Sequence, residues 1–248
     1  MTMEITFLTT STISDIQVTQ SRCIKKFFPD SEHVIIDGNK SFPKVWYEWL
    51  DVVKDSESDW FIHIDEDCFI TSPDEILKLI EEMKSGGYDI AGSPDGYNEF
   101  YRHGNHMAIN SFFMVLNKSV IDTWHNRTGN CPQFKKDWIE EYPFERHGDS
   151  HFIYNVKLLD GYHTWVPYSE PYYGFLWVLK QKGLKFKYIE PVFNPTFSTT
   201  DLLNGTVKHM WFQRQRKSVK VVSAAHTISN KDRFDGMLLY INHLLLSN

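Results

Sequence analysis

Three acids stand in a row, Asp65-Glu66-Asp67, directly after the apolar run "WFIHI" of residues 60–64. Side chains alternate along an extended chain, so Asp65 and Asp67 are expected on one side and Glu66 on the other. Two carboxylates in one small volume repel, and either they share a proton or a cation neutralises them. Carboxylate oxygens suit a hard ion such as Mg²⁺ or Mn²⁺, which keeps positions open for phosphate oxygens. The competing account places the acids before a helix N-terminus, where negative charge is favoured. Asp74 and Glu75 already fill that place, and Cys68-Phe69-Ile70 separates them from the triplet.

The elements that must position this triplet are legible from periodicity. "EITFLTTST" and "EHVIIDGN" read as buried strands ending in polar loops, and "DWFIHID" as a third. Between them fall a helix from Ile16 to Phe28, stopped by Pro29, and a second with Val45, Trp49, Val52 and Val53 on one stripe. Ser72-Pro73-Asp74-Glu75 has the form of a capping box, followed by Ile76, Leu79, Ile80 and Met83 at helical spacing and a Gly86-Gly87 stop. "YDIAG" is the next strand. Strands alternating with helices of this length imply an α/β fold: an open, mainly parallel sheet with helices on both faces. In such sheets the ligand crevice lies beyond the carboxyl ends of the strands, where Asp65 stands.

Past residue 95 the rhythm loosens into an elaborated C-terminal part. "GYNEFYRHGNHMAINSFFMVLN" reads as a loop leading into one or two strands, "KSVIDTWHN" as a short helix, "DSHFIYNVKLLDG" as a helix, "LKFKYIEP" and "VKVVSAA" as strands, and "FDGMLLYINHLLL" as a terminal helix. The 248 residues suit one large domain. A net charge of -6 argues against nucleic acid as a partner bound through the overall field. Aromatics at 15% exceed what a core of this size usually takes, so some rings should line a cleft. Cys23, Cys68 and Cys131 form no CxxC pair, which points to a reducing, cytoplasmic setting. No leader of basic and then long apolar residues opens the chain, and no run reaches the length of a membrane span.

With these residues placed, the sequence resembles the GT-A superfamily of nucleotide-sugar-dependent glycosyltransferases. "ITFLTTS" is similar to its first nucleotide-binding strand, "HVIIDG" to its second, "WFIHIDEDCFI" to the strand carrying its DxD motif, and "HMAINSFFMVLNKS" to the segment after the motif. The resemblance implies a GT-A-like, Rossmann-type single domain over 1–248, with 1–100 as the nucleotide-sugar-binding half and 101–248 facing the acceptor. It implies Mn²⁺ or Mg²⁺ on Asp65 and Asp67, bridging the diphosphate of a UDP- or GDP-sugar and neutralising the departing nucleotide. Thr9, Thr10, Ser11 and Asp37 would then meet the base and ribose, or serve as plain turn residues. A C-terminal histidine often completes the metal shell in this family, and two candidates compete. His209 has Arg214 and Arg216 close behind it as phosphate partners, whereas His226 ends the strand "VKVVSAAH". His209 is preferred. Asp149, in "ERHGDSHF", resembles the acidic residue at the acceptor side and is the candidate base if configuration is inverted, with a helix N-cap as its alternative. Asn110, Trp211 and the rings of "YSEPYYGFLW" could orient sugars.

Arg214, Arg216, Lys217 and Lys220 form a basic run that suits a phosphate clamp, a solvated surface, or peripheral contact with an anionic membrane bearing a lipid-linked acceptor. The expected activity is metal-dependent transfer of a sugar from a nucleotide sugar to a carbohydrate or lipid-linked acceptor. Two alternatives stay open: a nucleotidyl- or phosphotransferase using the same paired acids, and a non-catalytic sugar-binding module. No GxxxxGK[ST] loop supports the first of these, and no GxSxG or HExxH motif supports hydrolase chemistry.

Overall fold

The computed structural model describes residues 4–12, 14–40, 42–95, 108–120, 176, 179–180, 182–197, 199–210 and 230–247. The first 95 residues form β1 (Ile5–Ser11), α1 (Ser14–Phe27), β2 (Glu32–Asp37), α2 (Phe42–Asp55), β3 (Trp60–Ile64), β4 (Cys68–Ile70), α3 (Asp74–Gly86) and β5 (Ile90–Pro94). Then come β6 (Ile109–Asn117), β7 (Phe186–Tyr188), β8 (Val192–Asn194), β9 (Thr199–Leu202), β10 (Val207–His209) and a last helix, α4 (Asn230–Leu246).

Six strands make the main sheet in the order β2-β1-β3-β6-β5-β7. The pairs β1/β2, β1/β3 and β5/β7 are parallel, and β6 runs antiparallel between β3 and β5. The sheet is therefore mainly parallel, as the alternation of strands and helices implies, with β6 reversed. Alternation along each strand divides the core in two. Leu8 and Phe61 face the α2 residues Val45, Trp49, Leu50 and Val53. Phe7, Trp60, Ile62 and Ile64 face Ile24 of α1 and Ile76, Leu79, Ile80 and Met83 of α3. Helices cover both faces, and the 3.6-residue spacing of their apolar positions is what turns those side chains towards the sheet.

The start of α3 departs from the capping-box expectation. The N-cap is Pro73, whose carbonyl accepts from Leu77 N–H at 3.0 Å, while Ser72 Oγ accepts from Asp74 N–H at 3.3 Å. Glu75 turns towards Lys78 Nζ (3.7 Å), because an i,i+3 cation lies within easier reach than the Ser72 backbone. At the other end, Gly87 adopts a left-handed φ of 64°. Gly87 N–H donates to Lys84 O and Tyr88 N–H to Met83 O, closing the helix in a Schellman motif.

A second sheet, β4-β10-β9-β8, is antiparallel throughout the described residues. The chain thus leaves the main sheet after Ile64 and enters the second at Cys68. Beside this junction the β5/β6 ladder slips its register between Gly92 and Pro94. Gly92 sits under the slip: a Cβ there would meet Ile109 Cγ2 and lie 2.7 Å from Phe113 O. Gly92→Ala should therefore destabilise the protein by about 1–3 kcal/mol through overpacking, read as a melting temperature lower by several degrees. An unchanged melting temperature would mean that β6 yields there.

Among the described residues, no helix is long and apolar enough to cross a membrane. Burial pushes the Cys23 thiol up to about 12, despite Arg22 and Lys26 nearby. Burial, with Asp67, Asp65 and Asp201 adding, holds Cys68 well above the usual thiol range. Both are free thiols packed into the core.

Candidate metal centre

The acid triplet lies on the chain's passage between the two sheets. Asp65 N–H donates to Phe112 O (2.9 Å), still in the pattern of the β3/β6 ladder. The chain then reverses, with Cys68 N–H donating to Asp65 O at 3.0 Å. Residues 65–68 therefore form a β-turn, which corrects the expectation that an extended segment sorts the three acids by alternation. The outcome of the sorting is nonetheless the expected one. Asp65 and Asp67 face one way, towards His209, and Glu66 faces the other.

β10 supplies the histidine. His209 pairs with Cys68 in the antiparallel β4/β10 ladder, and Met210 N–H donates to Asp67 O at 3.0 Å, so the turn and the end of β10 are bonded together. His209 Nε2 lies 3.3 Å from Asp67 Oδ1, and one ligand atom from each of Asp65, Asp67 and His209 falls within 4.8 Å of the other two. The imidazole is 3% exposed and stacks on Phe112, with ring centroids 4.2 Å apart and planes 6° from parallel. Phe112 sits on the slipped stretch of β6, and such irregularities re-aim side chains.

These residues fit a divalent cation. Two carboxylates match a double positive charge, and a six-coordinate ion holding oxygens at about 2.1 Å spaces adjacent ligands about 3 Å and opposite ligands about 4.2 Å apart. Carboxylates suit Mg²⁺ and Mn²⁺ alike, whereas imidazole nitrogen suits later transition metals, so the mixed set favours Mn²⁺ of the two. Three coordination positions would remain for other oxygens.

A buried polar chain supports the turn from beneath. Gln20 of α1, fully buried, donates from Nε2 to the carbonyls of Asp65 and Cys68, and its Oε1 accepts from Thr9 Oγ1 at 3.0 Å. Thr9 Oγ1 also lies 3.0 Å from His33 Nε2, and Ser21 Oγ lies 3.2 Å from His33 Nδ1. Burial pushes His33 down to about 4 from its usual 6.5. The unfolded chain thus binds a proton between those values that the folded chain refuses. His33 stabilises the fold fully above pH 6.5, and that contribution is lost as pH falls from 6.5 to about 4. The His33→Gln variant should flatten this part of the stability profile, measured by urea unfolding at successive pH values. A profile identical to the parent's would exclude His33 as its source.

The other sequence candidates are distributed unevenly. Thr9 lies inside β1, not in a loop, because β1 stays paired with β2 as far as Ser11 and Asp37; its hydroxyl is committed to Gln20 and His33 rather than to a ligand. Thr10 and Ser11 end the strand, half-buried. Asp37 is exposed, and its Oδ1 accepts from the backbone N–H and the Nδ2 of Asn39; these bonds hold its carboxyl below the usual range. Asn110 is 2% exposed, donating to Asp95 Oδ1 and accepting from Phe112 N–H, so its side chain holds the slipped stretch of β6. Asp149, Arg214, His226, Trp211, Arg216, Lys217, Lys220 and the rings of "YSEPYYGFLW" lie outside the described residues, as do "DSHFIYNVKLLDG" and "VKVVSAA".

Periodicity does not point to Gln20 or Phe112 as parts of this centre. A glutamine on a helix and a phenylalanine in an apolar run carry no local signal, since their roles arise from chain segments far apart in sequence.

No family model and no curated protein matches the chain. Several solved structures are similar to it. A197 from STIV shares 17% identity at a TM-score of 0.39, covering 54% of this chain and 73% of its own. The mannosyltransferase PcManGT from Pyrobaculum calidifontis, solved with GDP-Man and Mn²⁺, shares 8% at 0.37, over 50% of this chain and 47% of its own. The apo-form glycosyltransferase GlyE of Streptococcus pneumoniae TIGR4 shares 11% at 0.42, over 98% of this chain and 62% of its own. These likenesses are partial, and the chemistry of the centre follows from its own side chains.

Proposed function

We propose that this protein is a metal-dependent glycosyltransferase that moves a sugar from a nucleotide-sugar donor to a carbohydrate or lipid-linked acceptor. One observation carries the proposal: Asp65 and Asp67, on the turn between the two sheets, converge with His209 of β10 where β3 ends. That edge is where parallel α/β sheets place their ligands.

Asp65, Asp67 and His209 would hold Mn²⁺ or Mg²⁺, which supplies Lewis-acid neutralisation of the diphosphate as it leaves. The chain's own residues do the rest. The turn and the Phe112 stack fix the ligand directions before any substrate arrives, which is the preorganisation that electrostatic catalysis needs. Ser11 and Asp37, side by side at the ends of β1 and β2, are proposed to border the nucleoside, with Thr10 beside them. Arg214 is proposed as a phosphate partner and Asp149 as the acceptor base if the reaction inverts. His226 is the reserve metal ligand should His209 prove dispensable.

The test incubates the protein with UDP- and GDP-sugars and a panel of carbohydrate and lipid-linked acceptors, with and without Mn²⁺ or Mg²⁺. Cation-dependent release of nucleoside diphosphate together with a glycosylated acceptor is the expected result. Release of pyrophosphate from nucleoside triphosphates instead would move the protein to the nucleotidyltransferases. Binding without any product would make it a sugar-binding module.

A further inference from the structure

We infer that Glu66 is a positioning residue that ties the loop after β1 to the metal turn, so that the order of that loop and the affinity of the cation are set together. The inference rests on Asp65, Asp67 and His209 being cation ligands. Glu66 is 8% exposed, on the side of the turn away from the cluster. Its carboxylate accepts three hydrogen bonds from the loop: Ser11 Oγ at 2.7 Å, Thr12 N–H at 2.6 Å and Thr12 Oγ1 at 3.0 Å. A carboxylate buried beside two others is unfavourable unless donors offset it, and here three short ones do.

The consequence for the ligands is geometric. The backbone of the turn is bonded at its ends, through Phe112 O, Gln20 Nε2 and Met210 N–H. Glu66 holds the middle. Without those three bonds the peptide planes on either side of residue 66 would be free to rotate and the carboxylates of Asp65 and Asp67 free to diverge. Ser11 and Thr12 lie at the carboxyl end of β1, on the edge where the donor is proposed to bind. Coupling between two such binding events is reciprocal: a ligand that orders the loop on binding tightens the cation by the factor by which the cation tightens that ligand.

The test titrates Mn²⁺ alone into the metal-free protein by calorimetry, with Asp67→Asn as the reference for a lost ligand. Substitutions of groups that orient metal ligands typically weaken metal binding about 10- to 100-fold. Glu66→Ala should therefore weaken Mn²⁺ at least about tenfold while the melting temperature of the metal-free protein stays near the parent's. Glu66→Gln retains one acceptor oxygen and should fall between the two. Ser11→Ala should weaken Mn²⁺ in the parent but add nothing in Glu66→Ala, because both remove the same tie. If Asp67→Asn abolishes binding while Glu66→Ala and Glu66→Gln bind like the parent, the inference is overturned and the metal centre stands. If the parent fails to bind Mn²⁺, or Asp67→Asn binds as tightly as the parent, the metal reading falls and takes the inference with it. Should Glu66→Ala fail to fold, the Mn²⁺ affinity of Glu66→Gln decides: weaker than the parent's upholds the inference, and equal to it overturns it.

Discussion

Asp67→Asn and Asp65→Asn should each lower turnover by about a thousandfold or more. A bound cation provides several kcal/mol of charge stabilisation as a diphosphate departs, and each ~1.4 kcal/mol is a factor of ten in rate. An amide keeps the shape of the side chain but surrenders the negative charge that holds the ion. The effect on the metal-free protein runs the other way. Asp65 and Asp67 present their oxygens to one small volume, so removing one charge relieves repulsion, and the variants should melt no lower than the parent. Mn²⁺ should raise the parent's melting temperature and leave the variants unmoved, since only a native state that binds the ion is stabilised by it. Full activity in both variants would remove the cation from the mechanism.

Lys208→Met should produce the largest loss of stability. Lys208 and Asp201 sit opposite one another in the β9/β10 ladder, with Nζ 2.6 Å from Oδ2 and side chains 8% and 9% exposed. Asp201 also accepts from Thr199 Oγ1 (2.6 Å) and Asn194 Nδ2 (2.8 Å). Methionine preserves the length and the apolar stem but strands the carboxylate in the interior. Stranding one partner of a buried pair costs about 3–5 kcal/mol, or roughly 10 °C in melting temperature for a chain of this size. The double variant Asp201→Asn/Lys208→Met should regain more than half of the loss, because neither remaining group is charged. A single-variant loss below about 1 kcal/mol would show that water screens the pair as it screens surface ion pairs.

Much of the scaffold was legible because its cause is local. The alternation in "WFIHI", the stripe of Val45, Trp49 and Val53, and the glycine stop at Gly87 each record a short-range requirement of backbone geometry. The acid turn was legible in residue type and in direction, though not in conformation. Extended alternation and this particular turn send Asp65 and Asp67 one way and Glu66 the other, so the directions alone do not distinguish them. The reversal of β6 was hidden because an apolar strand buried on both faces reads the same in either direction. The antiparallel second sheet was hidden for another reason: its strands are three or four residues long, too short for a period to show. His209 emerged through resemblance, whereas Phe112 and Gln20 depend on pairings that only the folded chain creates.

The pairing of β4 with β10 has a kinetic consequence. Asp67 and His209 are separated by more than half the chain, and such distant segments meet only after the entropy of closing a long loop has been overcome. During refolding, β1, β2 and β3 can pair before β10 arrives, with Asp65 at the end of β3 and the imidazole still absent. Tight cation capture would then require that docking, making Mn²⁺ uptake a clock for the arrival of β10 beside β4.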